Sequence, residues 1–179
     1  ARKDYWILNY SNPAAIVAIA TKKLRPDARI INICDMPIAI IEMIGKCVGI
    51  EDYVNIDVDY FGLNHFGWFT RMEYQGRDII KEIREYTKET GIMLPKQHID
   101  AINKHLSTGD RHANQSWIKV WKNAARMMEL SSEYVPNTYM NYYLFPKENV
   151  EASDPNFTRA NEVMNTREKA LFEGVDRYL

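Results

Sequence analysis

Cys34 and His65 stand 31 residues apart, each at the predicted junction of a strand and a loop. A thiolate and an imidazole can together hold a divalent metal and leave positions open for substrate. A helix amino end just after Cys34 would favour its thiolate. A buried structural cysteine and an ordinary loop histidine fit the same spacing, so spacing alone does not choose. There is no Cys-x-x-Cys, which argues against a closed structural zinc site. Asp35 follows Cys34 directly. It reads either as a plain helix N-cap or as a general acid. The two roles conflict, because a helix amino end favours the carboxylate anion and a general acid must carry a proton. Tyr139, Tyr142 and Tyr143 form an aromatic cluster, which fits packed rings as well as chemistry. Arg159 opens the last predicted helix, where it could clamp a phosphate or be a solvated surface charge. His98, His105 and His112 recur every seven residues and predict a helix face, with no function attached.

These residues need elements to position them. Trp6-Ile7-Leu8 reads as a short strand running into the polar loop Asn9 to Pro13. Ala14 to Leu24 has high helix propensity and an apolar face, with Pro13 in its first turn and Arg25-Pro26-Asp27 as its stop. Arg29 to Ile33 is a second β-branched run. Strand, helix and strand in this order make a βαβ unit, hence a parallel sheet. That places Cys34 and Asp35 at the carboxyl end of a parallel strand and the amino end of a helix reaching Gly49, the edge where ligands gather in open α/β sheets. Ile38, Ile41, Ile44 and Val48 continue along that helix at helical spacing.

The pattern then changes. Val54 to Tyr60 alternates and predicts a half-exposed strand, broken by Gly62 to Gly67 and followed by a partner strand from Trp68 to Tyr74. Gln75-Gly76-Arg77 is a turn. Asp78 to Thr90 predicts a helix with Ile79, Ile80 and Ile83 inward. Pro95 to Leu130 reads as mostly helical with a break at 107–109. Val135-Pro136-Asn137 opens an aromatic loop that ends at Pro146, and a last helix runs from about Asn156 to Leu179. The fold class expected is α/β with α+β. Residues 1–35 would be the end of a Rossmann-like domain, and residues 36–179 part of a mixed helix and antiparallel-strand domain.

The chain has 179 residues, with 23 Lys+Arg against 24 Asp+Glu. That balance speaks against a nucleic-acid partner. A hydrophobic fraction of 46% and a charged fraction of 26% are ordinary for a packed domain. No apolar run approaches the ~20 residues of a membrane span. Two cysteines make no disulfide framework, and a cytoplasmic setting is expected. The chain opens without Met and passes almost at once into the strand at Trp6, so an internal fragment is expected.

Several segments in order resemble glycoside hydrolase family 4, the nicotinamide- and metal-dependent glycosidases. They are Asn9-Tyr-Ser-Asn-Pro-Ala-Ala-Ile-Val17, Asn32-Ile-Cys-Asp-Met-Pro-Ile38 and Gly62-Leu-Asn-His-Phe-Gly-Trp68, then Pro136-Asn-Thr-Tyr139, Tyr142-Tyr-Leu-Phe-Pro146 and Thr158-Arg-Ala-Asn-Glu-Val163. The resemblance covers nearly the whole chain and is weakest from about Lys88 to Val135. It implies a second domain like the carboxyl-terminal domain of lactate and malate dehydrogenases. Asp35 after Cys34, with Met36-Pro37, implies the branch acting on 6-phospho-α-glucosides such as maltose 6'-phosphate. In the β-specific branch that position is typically Asn. Ala39 stands where the family often has Gly, one turn into the helix.

The implied reaction is a redox-assisted elimination followed by addition of water. NAD⁺ takes a hydride from C3 of the phosphorylated glucose, and the resulting ketone acidifies the C2 proton. Mn²⁺ or another divalent metal polarises the oxygens at C2 and C3. By motif, the resemblance makes Cys34 and His65 the metal ligands, Tyr139 the base at C2 and Asp35 the acid at the glycosidic oxygen. It makes Asn12 a contact to the sugar and Arg159 a contact to the 6-phosphate. A phenol is a poor base unless activated, and the metal charge can do that.

The decisive departure from the family is that the sequence has no Gly-x-Gly anywhere, so the pyrophosphate cradle is missing. The expected reading is an internal piece of the enzyme, inactive alone, whose full form takes a phosphorylated disaccharide and assembles as a homo-oligomer. Exposed apolar faces favour such association. The rivals are a metal-independent dehydrogenase of lactate or malate type, a 6-phospho-β-glucosidase within the same family, and a packing piece without catalysis.

Overall fold

The computed structural model describes residues 4–107, 115–131, 133–151 and 153–176. The chain divides into two compact units, residues 1–37 and 38–179. In the first, β1 (Ile7–Asn9) and β2 (Ile30–Asn32) lie on either side of α1 (Ala14–Leu24) in sequence. The strands pair in parallel, Ile7 opposite Ile30 and Asn9 opposite Asn32. This is the βαβ unit expected. A helix between the strands lets them run the same way, since a parallel pair needs a long crossover. The peptide bond before Pro13 is cis.

The second unit is helical and antiparallel. α2 (Met36–Cys47) begins at the boundary and buries Ile40, Ile41 and Ile44, while Ile38 stays exposed. β3 (Asp57–Leu63) and β4 (Phe66–Tyr74) form a hairpin. β5 (Arg77–Asp78) and β6 (Val135–Pro136) each pair antiparallel with β4. The strand expected from Val54 therefore starts later. Tyr53–Asn55 is a 3-10 turn instead. There the Asn55 side-chain amide donates to Asp52 Oδ2 at 2.8 Å, a local bond that competes with extended backbone. At its far end β3 runs on through Gly62 and Leu63, where a break was expected.

α3 (Ile79–Thr90) follows β5. Asp78 caps it by accepting from Lys81 N at 3.1 Å, and Gly91 ends it at φ 69°. Ile79, Ile80 and Ile83 are buried as expected. The helical stretch is α4 (Lys96–Ser107) and α5 (Gln115–Glu129). The expected break at Thr108 and Gly109 lies outside the described residues, and so does His112. Beyond β6 come α6 (Asn141–Leu144), α7 (Pro146–Glu151), α8 (Arg159–Val163), a π-helical stretch over Met164–Glu168 and α9 (Lys169–Asp176). The expected single last helix is thus interrupted by a widened turn. Among the described residues no helix is long and apolar enough to cross a membrane.

The core gathers β4, α3 and α5. Phe69, Met72, Ile83, Met127 and Val135 are fully buried. Arg84 locks α3 to the end of α5: its guanidinium donates to Ser131 O at 2.6 Å and Met128 O at 2.8 Å. Met128 O belongs to the last turn of α5, where carbonyls lack a partner within the helix, and Ser131 O lies just beyond it, so a planar fork satisfies both at once. Arg84→Lys keeps the charge but not the fork. It is expected to cost about 1 kcal/mol, read as a lower urea midpoint at unchanged slope. An unchanged midpoint would deny Arg84 this role.

Candidate active site

His65 sits at the tip of the β3–β4 hairpin. Leu63 pairs with Phe66, so Asn64 and His65 alone make the turn, and His65 takes φ 63°. The neighbouring pair is Gly62 opposite Gly67. A Cβ on Gly62 would lie 2.3 Å from Phe66 O. Only glycine lets the two backbones approach this closely while Gly62 holds φ 122°. The tight tip fixes where the His65 imidazole stands.

β6 delivers the second group. Val135 pairs with Phe69 and Pro136 with Trp68, which brings the following segment alongside the hairpin tip. Tyr139 lies in the 3-10 turn Thr138–Met140, not in a loop as expected from sequence. Its ring meets His65 edge-on, with centroids 4.7 Å apart and planes at 87°. Tyr142 lies 5.8 Å from Tyr139, and Tyr143 packs edge-on to Phe66 at 5.3 Å. Both outer tyrosines are exposed, and Tyr139 is half-buried. The three tyrosines therefore differ: one contacts the histidine and two form a rim.

In the first unit, Cys34 and Asp35 follow β2 and precede α2. Cys34 is half-buried, and Asp35 is exposed. The other cysteine, Cys47, is unsuited to thiolate chemistry: burial pushes its thiol up to about 12 despite a hydrogen bond with Tyr86. Tyr10 hydrogen-bonds Asp35, and that bond, with some burial and the nearby charges of Asp35 and Cys34, raises its phenol above the ordinary value. Asn12 is exposed in the loop after β1. Buried Asn9 organises that loop. Its Nδ2 donates to Ala14 O at 2.9 Å and to Asn32 Oδ1 at 2.8 Å, and its Oδ1 accepts from Ser11 Oγ at 2.6 Å. One carboxamide thus joins the Asn12 loop to the strand that leads into Cys34.

Arg159 is the first residue of α8. Thr158 before it donates from its backbone N and its hydroxyl to Asn161 Oδ1, each at 2.8 Å. His98 lies in α4 and takes no part in the constellation. Tyr10, Asn9 and Asn137 were missed as site residues on sequence. All three stand inside the motif blocks, one or a few residues from a residue singled out, and that adjacency is the only signal they offered.

The donor chemistry fits a divalent metal completed by substrate. Among the described residues no three His, Cys, Asp or Glu side chains gather into a closed site. Cys34 and His65, each within its own unit, are a sulfur and an imidazole donor, the residue types that suit such a metal. For a dinucleotide the fit fails within this chain, which has neither a Gly-x-Gly turn nor more than two parallel strands among the described residues.

Residues 3–50 match the family described as Family 4 glycosyl hydrolase, and residues 60–178 match the Family 4 glycosyl hydrolase C-terminal domain. The 6-phospho-alpha-glucosidase 1 of Lacticaseibacillus paracasei is 44% identical over 175 residues, which are 97% of this chain and 37% of that protein. A probable 6-phospho-beta-glucosidase of Bacillus subtilis is 27% identical over 174 residues, 94% of this chain and 34% of that protein. A crystal structure of a 6-phospho-alpha-glucosidase from gut microorganisms, in complex with NAD and glucose-6-phosphate, superposes with a TM-score of 0.78 at 40% identity, over 97% of this chain and 36% of that one. A second crystal structure of such an enzyme, holding NAD and Mn²⁺, gives 0.75 at 39% over 95% of this chain and 36% of that one. The chain spans little more than a third of the length of these relatives. Matched along nearly all its length, in both units, the chain belongs to family 4 of the glycosyl hydrolases.

Proposed function

We propose that this chain is part of an enzyme that hydrolyses 6-phospho-α-glucosides, such as maltose 6'-phosphate, with NAD and a divalent metal, Mn²⁺ first among them. One observation carries the reading: the hairpin tip and the turn after β6 bring His65 and Tyr139 into edge-on contact at 4.7 Å. A metal-ligand type and a phenol held together suit removal of a proton beside a polarised carbonyl. The α subtype is supported by Asp35 directly after Cys34, and by 44% identity to an α-specific relative against 27% to a β-specific one.

When bound in the full-length enzyme, NAD would supply hydride chemistry and the metal Lewis-acid polarisation of the sugar. Cys34 and His65 are assigned as the metal's protein ligands. Tyr139 takes the C2 proton. Asp35 gives a proton to the departing glycosidic oxygen, with the Tyr10 hydroxyl beside it. Asn12 contacts the sugar and Arg159 the 6-phosphate. Residues 1–35 are assigned to the end of the NAD-binding Rossmann domain and residues 36–179 to the substrate domain. The enzyme is read as a cytoplasmic homo-oligomer with a phosphorylated disaccharide as its substrate and with no nucleic-acid or membrane partner.

The test compares p-nitrophenyl 6-phospho-α-glucoside with its β anomer, each with and without NAD⁺ and Mn²⁺, on a protein of full family length that carries this segment. α-Selective turnover needing both additions is expected, and the 179-residue chain alone should give none. β-Selective turnover would move the protein to the other branch. Net NADH production from a hydroxy acid, without metal and without glycoside cleavage, would hand it to the dehydrogenase reading.

A further inference from the structure

We infer that Asn137 is the positioning residue that holds Tyr139 against the hairpin tip bearing His65. The role rests on the proposed reading of the site for its catalytic consequence, but the placement is geometric. Asn137 has no exposed surface. Burying a carboxamide is costly unless it is bonded, and here each of its polar atoms has a partner. Its Oδ1 accepts from Tyr139 N at 3.0 Å. Its Nδ2 donates to Tyr60 Oη at 3.2 Å. Its backbone N donates to Gly67 O at 2.8 Å, and its backbone O accepts from Met140 N at 3.0 Å.

These partners divide into two groups. Tyr60 lies on β3 and Gly67 on β4, one on each strand of the hairpin whose turn is Asn64-His65. Tyr139 and Met140 belong to the turn that presents the phenol. Asn137 is therefore a short bridge between the frame of His65 and the frame of Tyr139. Tyr60 is itself anchored, its ring 4.8 Å from fully buried Phe69. The bridge thus ends in the core, and the His65–Tyr139 distance is set by packed groups.

The test separates placement from catalysis. The chain has four histidines, so the His65 ring-proton resonances are identified by their loss in His65→Gln. An aromatic ring edge-on at 4.7 Å displaces them, and Tyr139→Leu gives their position without it. Asn137→Ala removes both side-chain bonds. Asn137→Ser retains an acceptor for Tyr139 N, as serine does in such turns, but does not reach Tyr60. Tyr60→Phe leaves Asn137 in place and removes only the far anchor.

In the 179-residue chain, Asn137→Ala should move the His65 resonances toward the Tyr139→Leu position, with Asn137→Ser and Tyr60→Phe intermediate. In a protein of full family length, Asn137→Ala should lower kcat on the order of 10- to 100-fold at unchanged KM. It should also enlarge the isotope effect of substrate deuterated at C2, which simple loss of folded protein would not do. Folded Asn137→Ala with wild-type His65 resonances and wild-type kcat would overturn the inference. Should that variant not fold, wild-type resonances in both Asn137→Ser and Tyr60→Phe would overturn it. If the wild-type enzyme cleaves no phosphoglucoside, the functional reading fails, and the resonances still decide the placement.

Discussion

Tyr139→Phe is expected to lower kcat for a 6-phospho-α-glucoside by about 10²–10⁴-fold, the usual loss when a general base is removed. The substitution is clean on structural grounds. Phe keeps the ring that meets His65 edge-on and removes only a hydroxyl from a half-buried position. Main-chain support for the turn comes from Asn137 and does not involve that hydroxyl. Thermal midpoint and substrate affinity should therefore stay near wild type. The chemistry-specific readout is exchange at C2. In D₂O the wild-type enzyme should place solvent deuterium at C2 of the product, and the variant should lose this in step with kcat. Turnover within a few-fold of wild type would remove Tyr139 from the role of base and leave it a packing residue.

Gly67→Ala should destabilise the second unit by about 2–3 kcal/mol, at the upper part of what overpacking costs. A Cβ there would lie 2.3 Å from Tyr60 Oη and 2.8 Å from Phe61 O. Neither neighbour yields cheaply. Phe61 O is backbone, and the Tyr60 ring is held between Phe69 and the Asn137 amide. Relief requires the hairpin to open, which moves His65 away from Tyr139. The expected results are a lower urea midpoint and broadened or shifted His65 resonances. Gly76→Ala is the control: it lies in the next turn at φ 79°, and nothing stands within 4 Å of its Cβ. It should cost only the strain of its backbone conformation. Equal effects at the two glycines would mean that crowding at the hairpin plays no part.

The helices and strands with a strong local signal were legible. Asp78 before Ile79-Ile80 and Gly91 after Thr90 mark both ends of α3, because capping and a left-handed stop are properties of single residues. The βαβ unit was legible because alternation of β-branched runs with a helix admits few arrangements. The elements misplaced were those decided by competition. Val54 continues an alternating pattern, but the Asp52–Asn55 bonds take that stretch out of the strand. Val135-Pro136 is too short to announce a strand, and it becomes one only because β4 presents an open edge to it. Burial in α2 fell on Ile40 beside Ile41 and Ile44, whereas Ile38 faces outward, a choice made by the neighbours α2 meets.

The chemistry of the candidate site was written in residue types and local order. Cys34-Asp35 after a parallel strand, His65 between two glycines and Tyr139 after Pro-Asn-Thr are all local patterns, and local patterns survive in a linear reading. Which groups touch was decided elsewhere. His65 and Tyr139 are 74 residues apart in the chain, and only the pairing of β6 with β4 brings them to 4.7 Å. Of the three clustered tyrosines, the turn at Thr138–Met140 turned Tyr139 to the histidine and left the other two as an exposed rim. Asn137 gave no sign beyond its adjacency to Tyr139, since a carboxamide acquires meaning only from its partners. Those partners, Tyr60 and Gly67, lie far back in the chain, and only non-local strand pairing brings them to it.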